Sequence, residues 1–148
     1  MQKIIGVIGG SFVEDKHLKL AYEVGRLLAI RKAILVCGGL GGVMEAACKG
    51  ALEFGGTTVG ILPAGDLKMA NPYVTVPIAT GLGSARNKII VDTGQAFISI
   101  AGAFGTLSEI AFALDAGKKV VGLETWDIPG IIPAISPEDA VRLALEGL

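Results

Sequence analysis

Six runs of strand length, residues 3–8, 33–36, 57–62, 73–78, 95–100 and 119–123, alternate with segments of helical period along the 148 residues. Most of the runs are rich in Val and Ile at odd and even positions alike, the pattern of strands buried on both faces. Residues 15–30 carry Leu20, Val24, Leu27 and Leu28 on one side of a helix, with Lys16, Lys19, Glu23 and Arg26 largely on the other. That division marks an amphipathic helix. Residues 43–54, 84–93 and 106–116 also read as helices. Ser136, Pro137, Glu138 and Asp139 supply a cap, a first-turn proline and first-turn acids for a last helix ending at 145. Repeated strand–helix units predict an α/β fold: a three-layer, doubly wound, right-handed parallel sheet of Rossmann-like type, in one domain over residues 1–148.

Charge narrows the classes of partner. Thirteen Lys and Arg against fourteen Asp and Glu leave a net charge of -1 with no basic stripe, so no nucleic-acid partner is expected. The longest apolar or glycine run, 96–104, is broken by Ser99 and falls well short of the roughly 20 residues that span a bilayer. The opening MQKIIGVIGG meets Glu14 and Asp15 before any small-residue cleavage pattern, so the chain is expected to stay in the cytoplasm. Cys37, Cys48 and His17 make neither a disulfide framework nor a zinc site, and both cysteines read as reduced core residues. No metal is expected. An apolar share of 51% with only 18% charged residues predicts a homo-oligomer, a dimer or larger.

The 22 glycines are about twice the usual share, and they gather where strands end. Gly9, Gly10 and Ser11 follow the first run; Gly38, Gly39, Gly41 and Gly42 follow the second; Gly81 and Gly83 follow the fourth; Gly102, Ala103, Gly105 and Thr106 follow the fifth. Ligands of open α/β sheets bind beyond the carboxyl ends of the strands. Each loop leads into a helix whose first N–H groups are unpaired, which favours an anion, above all a phosphate. Each loop taken singly reads equally as a tight turn. The GxGxxG fingerprint is missing, because Met44 and Arg86 stand where the last glycine belongs, and GxxxxGK[ST] is missing too. A conventional NAD site or ATP P-loop is therefore not expected.

Two residues stand out as chemical candidates. Arg86, in TGLGSARNK, offers a bidentate grip on phosphate or carboxylate, although it also reads as a surface arginine. Its charge at a helix start opposes the helix dipole and calls for something negative nearby. Asn87 adds an amide. Glu109 lies in GAFGTLSEIAFAL, where Thr106 and Glu109 form a [ST]xx[DE] capping box. Its alternative reading is a carboxylate facing the sugar or base of a bound nucleotide, able to stabilise an oxocarbenium-like transition state or to position water. Glu45 holds a comparable place on the second helix, where dipole pairing alone would also account for it.

The strings CGGLGGVMEAACKGA, VGILP, ANPYVTVPIATGLGSARN and GTLSEIAFAL resemble the Rossmann-like Lonely Guy superfamily, some of whose members are labelled lysine decarboxylase-like. Its enzymes are cytokinin-activating phosphoribohydrolases with the signature PGGxGTxxE and an arginine from the preceding helix. The resemblance places Gly102, Gly105, Thr106 and Glu109 on the signature and Arg86 on the arginine. Ala101 stands for the proline, Ala103 for a glycine, and GSARN for the hydrolases' MHxRK. TGxGxARN and GGVMEA are closer to the branch holding the molybdenum cofactor carrier proteins, which bind a phosphorylated pterin without turning it over.

The resemblance therefore implies a binding protein for a phosphorylated nucleotide-like or pterin ligand, with a bound nucleotide or molybdopterin-type molecule and no required cofactor. One alternative is a nucleoside 5'-monophosphate phosphoribohydrolase using Arg86 and Glu109. The other is a non-catalytic structural or regulatory oligomer.

Overall fold

The computed structural model describes residues 1–148. The chain runs β1 (Ile4–Gly9), α1 (Asp15–Ile30), β2 (Ile34–Cys37), α2 (Val43–Glu53), β3 (Thr58–Leu62), β4 (Val76–Ala79), α3 (Asn87–Thr93), β5 (Ala96–Ile100), α4 (Phe104–Asp115), β6 (Lys119–Leu123), β7 (Ile132–Pro133) and α5 (Pro137–Leu145). The seven strands form one sheet in the order β4-β3-β2-β1-β5-β6-β7, and every neighbouring pair is parallel. This is the doubly wound α/β sheet that the alternating pattern predicts.

Two apolar clusters fill the space on either side of the sheet. Val24 and Leu28 of α1, Ala47 and Cys48 of α2 and Val141 of α5 pack with Ile5, Leu35 and Ile98 in one. Ile90 and Val91 of α3 and Ile110 and Ala113 of α4 pack with Ile8, Val36 and Phe97 in the other. Between α1 and α2 backbone meets backbone. A Cβ on Gly25 would lie 1.9 Å from the Ala47 carbonyl oxygen, and one on Gly50 2.0 Å from that of Tyr22.

Local chemistry explains where the elements depart from expectation. The fourth strand begins at Val76 rather than at 73, because the Asn71 side chain accepts a hydrogen bond from the Tyr73 N–H at 3.0 Å and holds the chain in a turn. Residues Gly83–Arg86 form a 3-10 turn, and the α-helix starts only at Asn87. Helix α4 begins at Phe104, two residues before the expected start. Thr106 is thus the third helical residue and makes no capping hydrogen bond with Glu109, which corrects the capping-box reading. The strand β7 was not expected from the sequence. At α5 the Ser136 hydroxyl accepts from the Asp139 N–H at 3.1 Å, with Pro137 in the first turn, as read from the sequence.

One part of the sheet is left bare. Val76 and Ile78 of β4 pair with Val59 and Ile61 of β3, which belong to the α3–α4 side. No helix covers them there, and they are 45% and 43% exposed.

Candidate functional site

The chain winds outward from β1 through β2, β3 and β4, then returns to β5 on the other side of β1. The carboxyl ends of β1 and β5 therefore mark the switch point, where such sheets bind ligands. A cleft of about 880 Å³ opens there. Its walls are the Gly10–Glu14 stretch, the first turns of α1 and α2, Tyr73, and Ala101 to Ala103 before α4. Of the residues singled out from the sequence, Gly10, Ser11, Gly42, Glu45, Gly102 and Ala103 line the cleft.

Several carbonyl groups in and around the walls are already used within the fold. Gly10 O accepts from Val43 N at 3.0 Å, and Gly39 O from Asn71 N at 2.9 Å. Leu40 O accepts from the Asn71 amide at 2.9 Å. In the loop before α4, Ala101 O accepts from the Thr125 hydroxyl at 2.8 Å and Ala103 O from the Trp126 indole at 3.2 Å. The N–H groups of Gly42, Gly102 and Ala103 donate to no other part of the chain. Free donors at the starts of α2 and α4 therefore border a cleft that also holds the carboxylates of Glu14 and Glu45 and the ammonium of Lys49. Gly102 is required at its position: φ is +108, and a Cβ would lie 2.3 Å from Thr106 Oγ1.

Arg86, Asn87 and Glu109 form a separate group on the α3–α4 side, outside the lining of the cleft. The Arg86 guanidinium is buried and engaged. Its Nε donates to Ile61 O at 2.8 Å, its Nη2 to Gly38 O at 3.4 Å, and its Nη1 to the Asn87 side chain. Asn87 in turn donates to Ser108 Oγ at 3.0 Å. Burial pushes the guanidinium below its ordinary range, and the Glu109 charge opposes that shift. Glu109 lies near enough for its charge to act on Arg86, but the two make no ion pair. Glu109 is 7% exposed, and burial raises its carboxyl to about 7 against the opposing pull of Arg86.

Gly38 and Gly39 are buried beneath this group and the second loop, and a Cβ on Gly38 would strike Arg86 Nη2 at 2.6 Å. Gly9 is buried at the end of β1. Thr106 is buried under α4, while Gly41, Gly83 and Gly105 have open space around them.

Sequence reasoning passed over His17, Lys49 and Tyr73, which also line the cleft. Lys49 had a signal, since it lies four residues after Glu45 and shares its helix face. Tyr73 had none, because only the turn at Asn71 brings it to α2. His17 Nδ1 accepts from Glu14 N at 3.3 Å.

A doubly wound parallel sheet with glycine loops at its switch point defines a Rossmann-like protein, and the sequence relatives place it in the Lonely Guy superfamily. Within that class the chain belongs to the SLOG cluster4 family, whose sequence profile matches residues 2–143. It is similar to the molybdenum cofactor binding protein of Rippkaea orientalis, with 37% identity and a TM-score of 0.92 over 97% of this chain and 95% of that one. It is similar also to the molybdenum cofactor carrier protein of Chlamydomonas reinhardtii, with 35% identity and a TM-score of 0.87 over 97% and 96%. A cytokinin riboside 5'-monophosphate phosphoribohydrolase of Mycobacterium tuberculosis is 35% identical over 74% of this chain. The chain spans 63% of that hydrolase's length. No helix is long and apolar enough to cross a membrane.

Proposed function

We propose that the protein binds a phosphorylated, nucleotide-like or pterin-type ligand in the switch-point cleft. The observation that carries this reading is the set of free N–H groups at Gly42, Gly102 and Ala103, beside carbonyls already consumed within the fold. Two relatives whose names specify molybdenum cofactor support a pterin-type ligand. The test is calorimetric titration of the intact chain with nucleoside monophosphates, a pterin phosphate and inorganic phosphate. Saturable binding of at least one supports the reading; a well-folded sample that binds none overturns it.

A second reading is N-glycosidic hydrolysis of nucleoside 5'-monophosphates. One observation favours it: Glu109 is buried with its carboxyl raised to about 7, a value suited to acid–base work near neutrality. Its test is release of free base, abolished in Glu109→Gln. The engagement of Arg86 by carbonyls of its own chain argues for the binding reading instead.

The bare strip at Val76 and Ile78 supports a homo-oligomer, because parallel sheets are normally covered on both faces. Sedimentation equilibrium of wild type against Val76→Lys tests it: a wild-type monomer overturns the proposal. A cytoplasmic location is consistent with the reduced cysteines.

A further inference from the structure

Glu45 and Lys49 occupy successive turns of α2 and both line the cleft. Glutamate four residues before lysine is the orientation that pairs best on a helix. Yet the five ion pairs of the protein include neither residue. Lys49 instead places its ammonium 5.9 Å from the centre of the Tyr73 ring. It also stands where the cleft runs on into a smaller groove of about 330 Å³ between α1 and α2, which shares Leu18, Ala46 and Lys49 with it. At 1.5 Å per helical residue, Glu45 lies about 5 Å and Lys49 about 10 Å beyond Gly42 along α2. A carboxylate and an ammonium thus line the cleft in order along α2 from Gly42, neither held in an ion pair.

We infer that these two residues read the ligand outward from its phosphate, Glu45 accepting hydrogen bonds from hydroxyl groups and Lys49 donating to a carbonyl oxygen on a flat ring beside Tyr73. The ligand class is a phosphomonoester of an oxo-substituted heterocycle, such as a 6-oxopurine or 4-oxopteridine, in preference to a 6-aminopurine. An exocyclic amino group turns a donor toward the ammonium, whereas a ring carbonyl accepts from it. The inference rests on the proposed phosphate site in the cleft.

The experiment titrates the intact chain with GMP, IMP, AMP, a pterin phosphate and inorganic phosphate. IMP separates the 6-oxo group from the 2-amino group of GMP. IMP and GMP are expected to bind about tenfold more tightly than AMP, the scale of one charge-assisted hydrogen bond. Lys49→Met removes that preference and weakens IMP and GMP more than phosphate alone, whereas Lys49→Arg retains it. Lys49 is exposed, and matching circular dichroism and melting curves for the variants confirm that folding is intact. Equal binding of AMP and IMP, or an equal loss of phosphate affinity in Lys49→Met, overturns the inference and leaves the phosphate site standing. Failure of every probe, a pterin phosphate included, overturns the phosphate site and the inference with it.

Discussion

Ala101 donates its backbone N–H to the Glu124 carbonyl at 3.1 Å, and both residues hold left-handed backbone with φ at 49. Such a conformation costs a residue bearing a Cβ roughly 1–2 kcal/mol. The loop keeps it because Thr125 and Trp126 hold the Ala101 and Ala103 carbonyls. The hydrolase signature has proline at this position. Proline is locked near φ −65° and has no N–H, so it does not fit the loop as folded here. Ala101→Pro is expected to destabilise the protein by about 3 kcal/mol or more in urea titration. An unchanged midpoint would show that the loop has been redrawn.

Glu109 makes stability depend on pH in the direction opposite to a paired carboxylate. Its carboxyl is raised from 4.5 to about 7 in the fold, so the native state binds the proton more tightly than the unfolded chain. The stability it contributes is complete below about pH 4.5 and lost as pH rises through about 7. Glu109→Gln should therefore be more stable than wild type at pH 8, by up to about 3 kcal/mol. The gap should close at pH 4.5. Melting temperatures across that range check it, and a constant difference would contradict the shift.

Removing the Arg86 guanidinium leaves the carbonyls of Ile61 and Gly38 without this donor, and Glu109 without its nearby positive charge. Arg86→Ala is expected to cost about 3 kcal/mol. Arg86→Lys restores only part, since one ammonium does not reproduce the planar fork. Chemical denaturation measures both. Ligand affinity in the cleft should change little in either variant, and a large selective loss would move Arg86 into the binding site.

Two glycines in the loops should part company on substitution. Gly102→Ala meets Thr106 Oγ1 at 2.3 Å with φ at +108, whereas a Cβ on Gly41 meets nothing within 4 Å. The first is expected to cost about 2 kcal/mol or more, and the second to stay within about 0.5 kcal/mol. Differential scanning fluorimetry separates them.

Cys37 and Cys48 are free, fully buried, and bring their sulfurs within 3.5 Å. The contact with Cys48 and burial push the Cys37 thiol well above its usual range, and the full burial of both sulfurs keeps reagents from Cys48 as well. Labelling by an aromatic disulfide reagent should proceed no faster than unfolding. Fast labelling of native protein would contradict this.

Most of the fold was legible because both-face burial writes Val and Ile at odd and even positions alike, as at Ile4, Ile5, Val7 and Ile8 of β1. The start of β4 was not, since the turn depends on one side chain of Asn71. The two residues of β7 were too short to leave a periodic trace. Glycines at strand ends marked the edge of the sheet where the cleft opens. Sequence did not show that Arg86 would be consumed by carbonyls from β3 and from the loop after β2, because those contacts join residues 25 and 48 positions apart. Nor did it show that the charged pair turned to the cleft would be Glu45 and Lys49.

The close approach at Gly25 and Gly50 gives α1 and α2 no cushion of side chains to compress. The two helices bordering the cleft therefore act as fixed jaws, and a molecule too wide for them has no inexpensive way to pry them open. The span between them is set by backbone contact rather than by movable side chains.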